Sequence, residues 1–348
     1  MPRIVTELSL KQYAHRQLNE YVTAVSVASS GLLAAASASG EVVLWLEDSF
    51  TVLLESNEKS IDTLCFSYDG SFLAAAGQAG IVYVWQISNR TGQLLASIDC
   101  PKKWLEHLAW SPEVNYLAFG FGRYAQIWQF PNQELITTIH LEESNVLGLA
   151  WRPPLGSHLT IAHQFGVKIW DAQKWDEDPI SLQTEVAVVD LAWSGEGRYL
   201  AVNRIDKTAS LFEWGNIEPW FLHGFLGKIR KFAWSYGKDP LLAMSTVDEI
   251  VIWKRSSKPD EGWSANVLKV GLGNLEDIAF APGSELLAAV SENGSLNFWL
   301  KNKQIAIDKQ QDNYSCLHWF NDAQQLLTGS QNGNLTQWKV LPRGRGFA

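Results

Sequence analysis

Three features of this 348-residue chain predict an all-β fold built from repeated four-stranded sheets. The first is a series of bulky aromatics, each closing a short apolar strand: Trp45, Trp85, Trp128, Trp170, Phe212, Trp253, Trp299 and Trp338. Their spacing is 40, 43, 42, 42, 41, 46 and 39 residues. The second is an aromatic or apolar residue about fifteen to twenty positions ahead of each anchor, at Val27, Phe66, Trp110, Trp151, Trp193, Trp234, Phe280 and Trp319. The third is regular punctuation by turn residues between the apolar runs. A period near forty is that of a four-stranded blade, which cannot bury its own faces and must stack on its neighbours. The expected architecture is a closed β-propeller of four-stranded antiparallel blades.

The elements of a repeat follow in order. The first strand ends at the earlier aromatic and runs into a turn such as Ser67-Tyr68-Asp69-Gly70 or Ala281-Pro282-Gly283, where polar residues with Gly or Pro separate two apolar runs. A second apolar strand follows, as in Phe72-Leu73-Ala74-Ala75 and Leu286-Leu287-Ala288-Ala289. Gly40, Gly80, Asn293-Gly294 and Asn332-Gly333 then supply backbone that tolerates positive φ. The third strand leads to the anchor, as in Val42-Val43-Leu44-Trp45. Seven outer strands are expected, over Thr51 to Glu55, Gln93 to Ile98, Glu134 to His140, Pro179 to Gln183, Glu218 to His223, Ser264 to Val270 and Lys303 to Asp308.

After Trp338 little chain remains for an eighth outer strand. The apolar-rich segment Arg3 to Tyr13 has no other assignment, and as the missing strand it would close the last blade and leave no open edge. The count is therefore eight blades, or seven if one repeat is degenerate, although none lacks its three inner strands. Residues 1–341 read as one propeller domain and 342–348 as a short C-terminal tail.

These repeats resemble the WD-repeat β-propellers over essentially the whole chain. The likeness is uneven. Only Trp170-Asp171 keeps the Trp-Asp pair that names the family, its Gly-His pair is absent, and the Asp common before the third strand survives at Asp206 and Asp248. The His-Asp-Ser-Trp network that stiffens many family blades cannot be assembled, so aromatic and aliphatic packing must take its place. Of 17 Trp residues, 12 fall on the two periodic positions, leaving Trp104, Trp175, Trp214, Trp220 and Trp263 unexplained by the repeat.

Composition sets limits on function. At 46% hydrophobic and 19% charged residues, the chain suits a large folded domain. Its formal net charge of −9 argues against general nucleic-acid binding, which needs Lys and Arg to neutralise phosphates; Arg343-Gly344-Arg345-Gly346 reads as a solvated end. Cys65, Cys100 and Cys316 have no CxxC partner, and two of them fill small apolar positions of first strands. The first residues lack the apolar core of a signal peptide, and no run of eighteen apolar residues spans a membrane. A cytoplasmic setting is the expectation.

Catalytic signals are lacking. Gly227-Lys228-Ile229 and Gly237-Lys238-Asp239 lack the hydroxyl of a phosphate loop, and Gly120-Phe121-Gly122 lies between strands with no helix behind it. His158 and His163 flank one strand at about 16 Å, too far apart to share a zinc ion. His107 and His163 fall on neighbouring blades at one face and read as two surface histidines. No enzyme activity, cofactor or metal is expected.

What remains is surface. The family resemblance implies that contacts form on the loop face, where loops leading into first strands meet the turns between second and third strands. Trp104, Phe121, Arg123, Tyr124 and Phe165 concentrate there on blades three and four, a composition enriched in interface hot spots. Lys102 and Lys103 precede Trp104. Either these residues form a contact patch or the aromatics fold inward and cap the blades. The favoured reading is a non-enzymatic scaffold that binds a protein or peptide partner. The competing one is a propeller that handles a small molecule or metal with polar groups at its channel mouth.

Overall fold

The computed structural model describes residues 7–100, 103–142, 144–258, 261–269, 273–309 and 312–343. Within them lie eight four-stranded antiparallel sheets, the eight blades of a β-propeller. Seven sheets follow chain order from first to fourth strand; the eighth is ordered Glu7–Gln17, Asn334–Arg343, Gln325–Ser330, Tyr314–Trp319. The expected outer strands occur at Ser49–Leu54, Thr91–Asp99, Glu134–His140, Ile180–Gln183, Trp220–Leu222, Trp263–Lys269 and Lys303–Lys309. Contacts group the chain into two compact units, Ser26–Ile229 and Met1–Val25 with Arg230–Ala348.

In the unit 26–229 the second strands are buried along their length, as in Phe72–Gly77, because both of their faces are covered. Small Ala side chains there let neighbouring sheets approach, and Gly77 carries this furthest: a Cβ at that position would collide with the carbonyl oxygen of Ser60. The periodic Trp of the first strands ties each blade to the one before it. Trp110 Nε1 donates to the Cys65 carbonyl of the preceding blade at 3.1 Å, and Trp151 Nε1 to that of Ala109 at 3.0 Å. Each indole thus buries its ring between blades while satisfying its N–H on the neighbour's backbone. Trp193 instead reaches the Thr160 hydroxyl at 2.9 Å. Third-strand anchors bond locally: Trp45 donates to the Glu47 carbonyl and Trp128 to the Gln126 side chain.

The other unit contains the junction of the two chain ends. The strand Glu7–Gln17 pairs with Asn334–Arg343 from Glu7 opposite Arg343 to Gln17 opposite Asn334, with a register shift between Gln12 and Ala14. The N-terminal strand runs four residues past its expected end at Tyr13; its expected start, Arg3 to Thr6, lies outside the described residues. Its partner strand extends past Trp338 through Lys339, Val340 and Leu341 to Arg343. Leu8 and Leu10 pack against Leu326, Trp338 and Val340, and Lys339 lies over the Tyr13 ring at 4.0 Å. Trp319 repeats the backward reach, donating to the Ala279 carbonyl at 3.1 Å. Nearby, the half-buried Asp277 accepts from the Leu317 backbone N–H at 3.1 Å and so bridges blades seven and eight.

His318, on the first strand of blade eight, titrates abnormally. Burial pushes its pKa down from 6.5 to about 4, against a backbone hydrogen bond with Val25 that favours the charged form. The unfolded chain then takes up this proton more readily than the folded one. Its contribution to stability is present above pH 6.5 and is lost as pH falls from there towards about 4. A His318→Gln variant is expected to lose less stability than the parent between pH 7.5 and 4.5, measured by urea midpoints. An equal loss in both proteins would remove His318 as the cause.

Candidate loop-face site on blades three and four

The hairpin of blade three joins Tyr116–Phe121 to Tyr124–Gln129 through Gly122, at φ 57°, and Arg123. This tight turn sets two aromatics opposite each other, with Phe121 paired to Tyr124. Their rings stack at 5.7 Å, and Tyr124 stacks on His140 of the outer strand at 4.7 Å. Phe121 is half-buried and packs on the core that includes Trp110 and Phe119. Tyr124 is 41% exposed. Arg123 is exposed and donates through Nη1 to the Glu142 carbonyl at 3.0 Å, which directs the guanidinium along the loop. Lys103 lies against the same turn, with its ammonium beside Gly122.

Trp104 is 54% exposed, and its indole N–H is held by the Asp62 carboxylate of blade two at 2.6 Å. Ser60 donates to the same carboxylate oxygen, fixing its orientation. Phe165 tops the hairpin of blade four, 47% exposed, with its ring edge-on to His163. The Val146 N–H donates to the Gly122 carbonyl, and the Gln164 N–H to the Ser144 hydroxyl. One chain of contacts therefore joins Lys103, the 121–124 turn, the 144–146 segment and the 164–165 turn. Trp104 flanks it towards blade two. The two readings of these aromatics divide: Phe121 contributes to the core, while Trp104, Tyr124 and Phe165 present their rings. Lys102 lies outside the described residues. Asp62 and His140, which set two of the rings, carry no periodic signal; they are found only once the strands are paired.

The histidines are not the surface residues expected of them. His163 is buried and His107 is half-buried. Burial lowers the His107 pKa, opposed by the Asp190 and Glu106 carboxylates. His158 sits in a packed position, 2.9 Å from the Ser157 hydroxyl and edge-on to Trp214 at 4.6 Å. Burial pushes the Cys65 and Cys316 thiols up to about 12, which keeps them protonated and unreactive. Among the described residues no three His, Cys, Asp or Glu side chains converge on one point. Nor is any described helix long and apolar enough to cross a membrane.

Comparison with known proteins adds to this geometry. The family profile for the WD domain, G-beta repeat, matches residues 49–86, which span the outer strand of blade one and the three inner strands of blade two. Telomerase protein component 1 of Mus musculus is 22% identical over 338 residues, covering 90% of this chain and 12% of that protein. The Rattus norvegicus protein of the same name is 22% identical over 346 residues, with the same coverage. This chain thus corresponds to about an eighth of the length of those relatives. Among solved structures, Chaetomium thermophilum Sqt1 bound to the N-terminus of the ribosomal protein L10 superposes with a TM-score of 0.77 at 14% identity. That match covers 95% of this chain and 99% of the other. The described residues therefore form an eight-bladed β-propeller, and the stretch 49–86 is similar to the WD repeat.

Proposed function

We propose that this propeller is a non-enzymatic scaffold that holds a protein or peptide partner on its loop face, at blades two to four. The observation that carries this reading is the exposure of Trp104, Tyr124 and Phe165 beside Lys103 and Arg123, on a chain of net charge −9. Aromatic and Arg side chains bury much area at low entropic cost, which is why they anchor interfaces. An acidic or amphipathic segment would meet both the ring faces and the local positive charge. The use of a similar fold by Sqt1 to hold the N-terminus of a ribosomal protein supports a peptide-sized partner. The three free cysteines suit a reducing, cytoplasmic setting.

Partners recovered from native extract on the parent protein are expected to bind Trp104→Ala and Arg123→Ala at least about thirtyfold more weakly, as loss of a hot spot worth about 2 kcal/mol requires. Glu113→Ala, in an exposed turn at the opposite end of blade three, should leave binding unchanged. Equal affinity for all three folded variants would move the site elsewhere.

A further inference from the structure

At the opposite end of the strands, blades four and five leave an open apolar groove of about 280 Å³. Its floor is Trp193 and Phe212; its walls are Ile180 and Leu182 on one side and Trp214 and Ile217 on the other. Ile217 is 69% exposed and Ile180 47%, in segments where a polar residue would cost nothing. Trp214 is held rigid. The Arg152 guanidinium covers its ring at 3.8 Å, and that side chain is tied by Nε to the Gly197 carbonyl at 2.8 Å. The groove exists because its two outer strands are short: Ile180–Gln183 has 4 residues and Trp220–Leu222 has 3, where the outer strands of the other blades have 6 or more. Ile180 and Leu182 share one face of a strand that ends its sheet; Leu182 is buried against the core with Trp193 and Phe212, while Ile180 is exposed next to the sheet's free edge.

Charge around the groove has one dominant sign. Glu213 lines it, paired to Arg198 at 2.7 Å. Asp176 and Asp178 are exposed just ahead of Ile180, and Glu218 is exposed just after Ile217. None of these last three forms an ion pair among the described residues, whereas neighbouring Glu177 is matched by Lys174 at 3.2 Å. Such a surface repels phosphate and favours cationic side chains. We propose that the groove docks an extended segment of a partner protein bearing one large apolar side chain flanked by Lys or Arg. The apolar side chain fills the space above Phe212 and Trp193. The flanking cations meet Asp178 and Glu218, and the segment's backbone lies along the free edge of Ile180–Gln183, a known mode of strand addition. This site is separate from the loop-face patch and of opposite charge preference.

The test uses displayed random twelve-residue peptides, selected on the full chain and counter-selected on Ile217→Glu. Enriched peptides are then synthesised and measured by fluorescence anisotropy. The expected winners carry Leu, Met, Phe or Trp with Lys or Arg within three residues. Their affinity should fall at least about thirtyfold on Ile217→Glu and on Ile180→Glu, the loss typical of a removed anchor. It should fall several-fold on Asp178→Asn with Glu218→Gln and with added salt, and stay unchanged on Trp104→Ala and Arg123→Ala. Because both isoleucines are exposed, unaltered urea midpoints are expected for the two Glu variants; either one alone, if folded, suffices. No enriched peptide, winners without basic residues, or winners indifferent to both Glu variants would overturn the proposal. So would a concentration-dependent dimer that Ile217→Glu abolishes, since the occupant would then be a second copy. Loss of binding only on Trp104→Ala would assign the peptides to the loop face and overturn it equally.

Discussion

Replacing Trp193 by alanine is expected to destabilise the fold by about 3–5 kcal/mol, the range for deleting a buried aromatic whose cavity cannot collapse. The ring is 8% exposed and packs edge-on to Trp214 at 5.9 Å. Its N–H also satisfies the Thr160 hydroxyl, which is fully buried, so truncation leaves a second group without its partner. Trp319→Phe is a milder change, removing three atoms of a buried ring together with the bond to the Ala279 carbonyl, so a smaller cost of about 1–3 kcal/mol is expected. Urea midpoints at constant slope measure both. A Trp193→Ala midpoint within error of the parent would show that inter-blade packing does not rest on this series.

Deleting residues 1–13 is the other large effect. It removes Leu8 and Leu10 from the core of blade eight and strips Asn334–Arg343 of most of its outer partner. At about 1.5–3 kcal/mol for each fully buried leucine, two half-buried ones with the lost packing of Tyr13 amount to about 3 kcal/mol. The bared edge should also raise aggregation, visible as light scattering below the unfolding midpoint. An unchanged urea midpoint for the truncated chain would mean that the junction of the two ends contributes nothing to stability.

The architecture is legible in the sequence because a blade repeats its physics. Every forty residues the same inter-blade gap must be filled, so the same aromatic returns, and turn residues mark where the chain reverses. Outer strands are located less sharply, since one of their edges faces solvent and their sequence is under weaker constraint. The N-terminal strand runs four residues past its expected end because no turn residue follows Tyr13 to stop it, and its register is set by Leu8 and Leu10 meeting the core. Candidate loop-face residues can be read from the repeat, but exposure cannot: Phe121 and Tyr124 are three positions apart, and only the tilted packing of one on Phe119 and the stacking of the other on His140 decide which ring turns in. Histidine burial escapes sequence reading for the same reason. Trp214, which walls the groove of blades four and five, stands out as an aromatic off the repeat; so does Trp263, which merely packs on Trp234 at 6.2 Å. Leaving the period identifies a residue that needs another explanation, without saying which.

The pairing of Glu7–Gln17 with Asn334–Arg343 has a consequence for synthesis. The first strand emerges from the ribosome more than 300 residues before its partner is made. At about 5–20 residues per second that is a wait of roughly 15–60 s, during which blade eight does not exist. The nascent chain must carry a free β-strand through this interval beside a growing row of finished blades. Its sequence is suited to that wait, because Lys11, His15 and Arg16 interrupt the apolar residues, and like charge keeps such segments from pairing with one another in a polysome. Pairing of the two strands therefore cannot precede synthesis of Asn334–Arg343, and until then the other seven blades can fold without it.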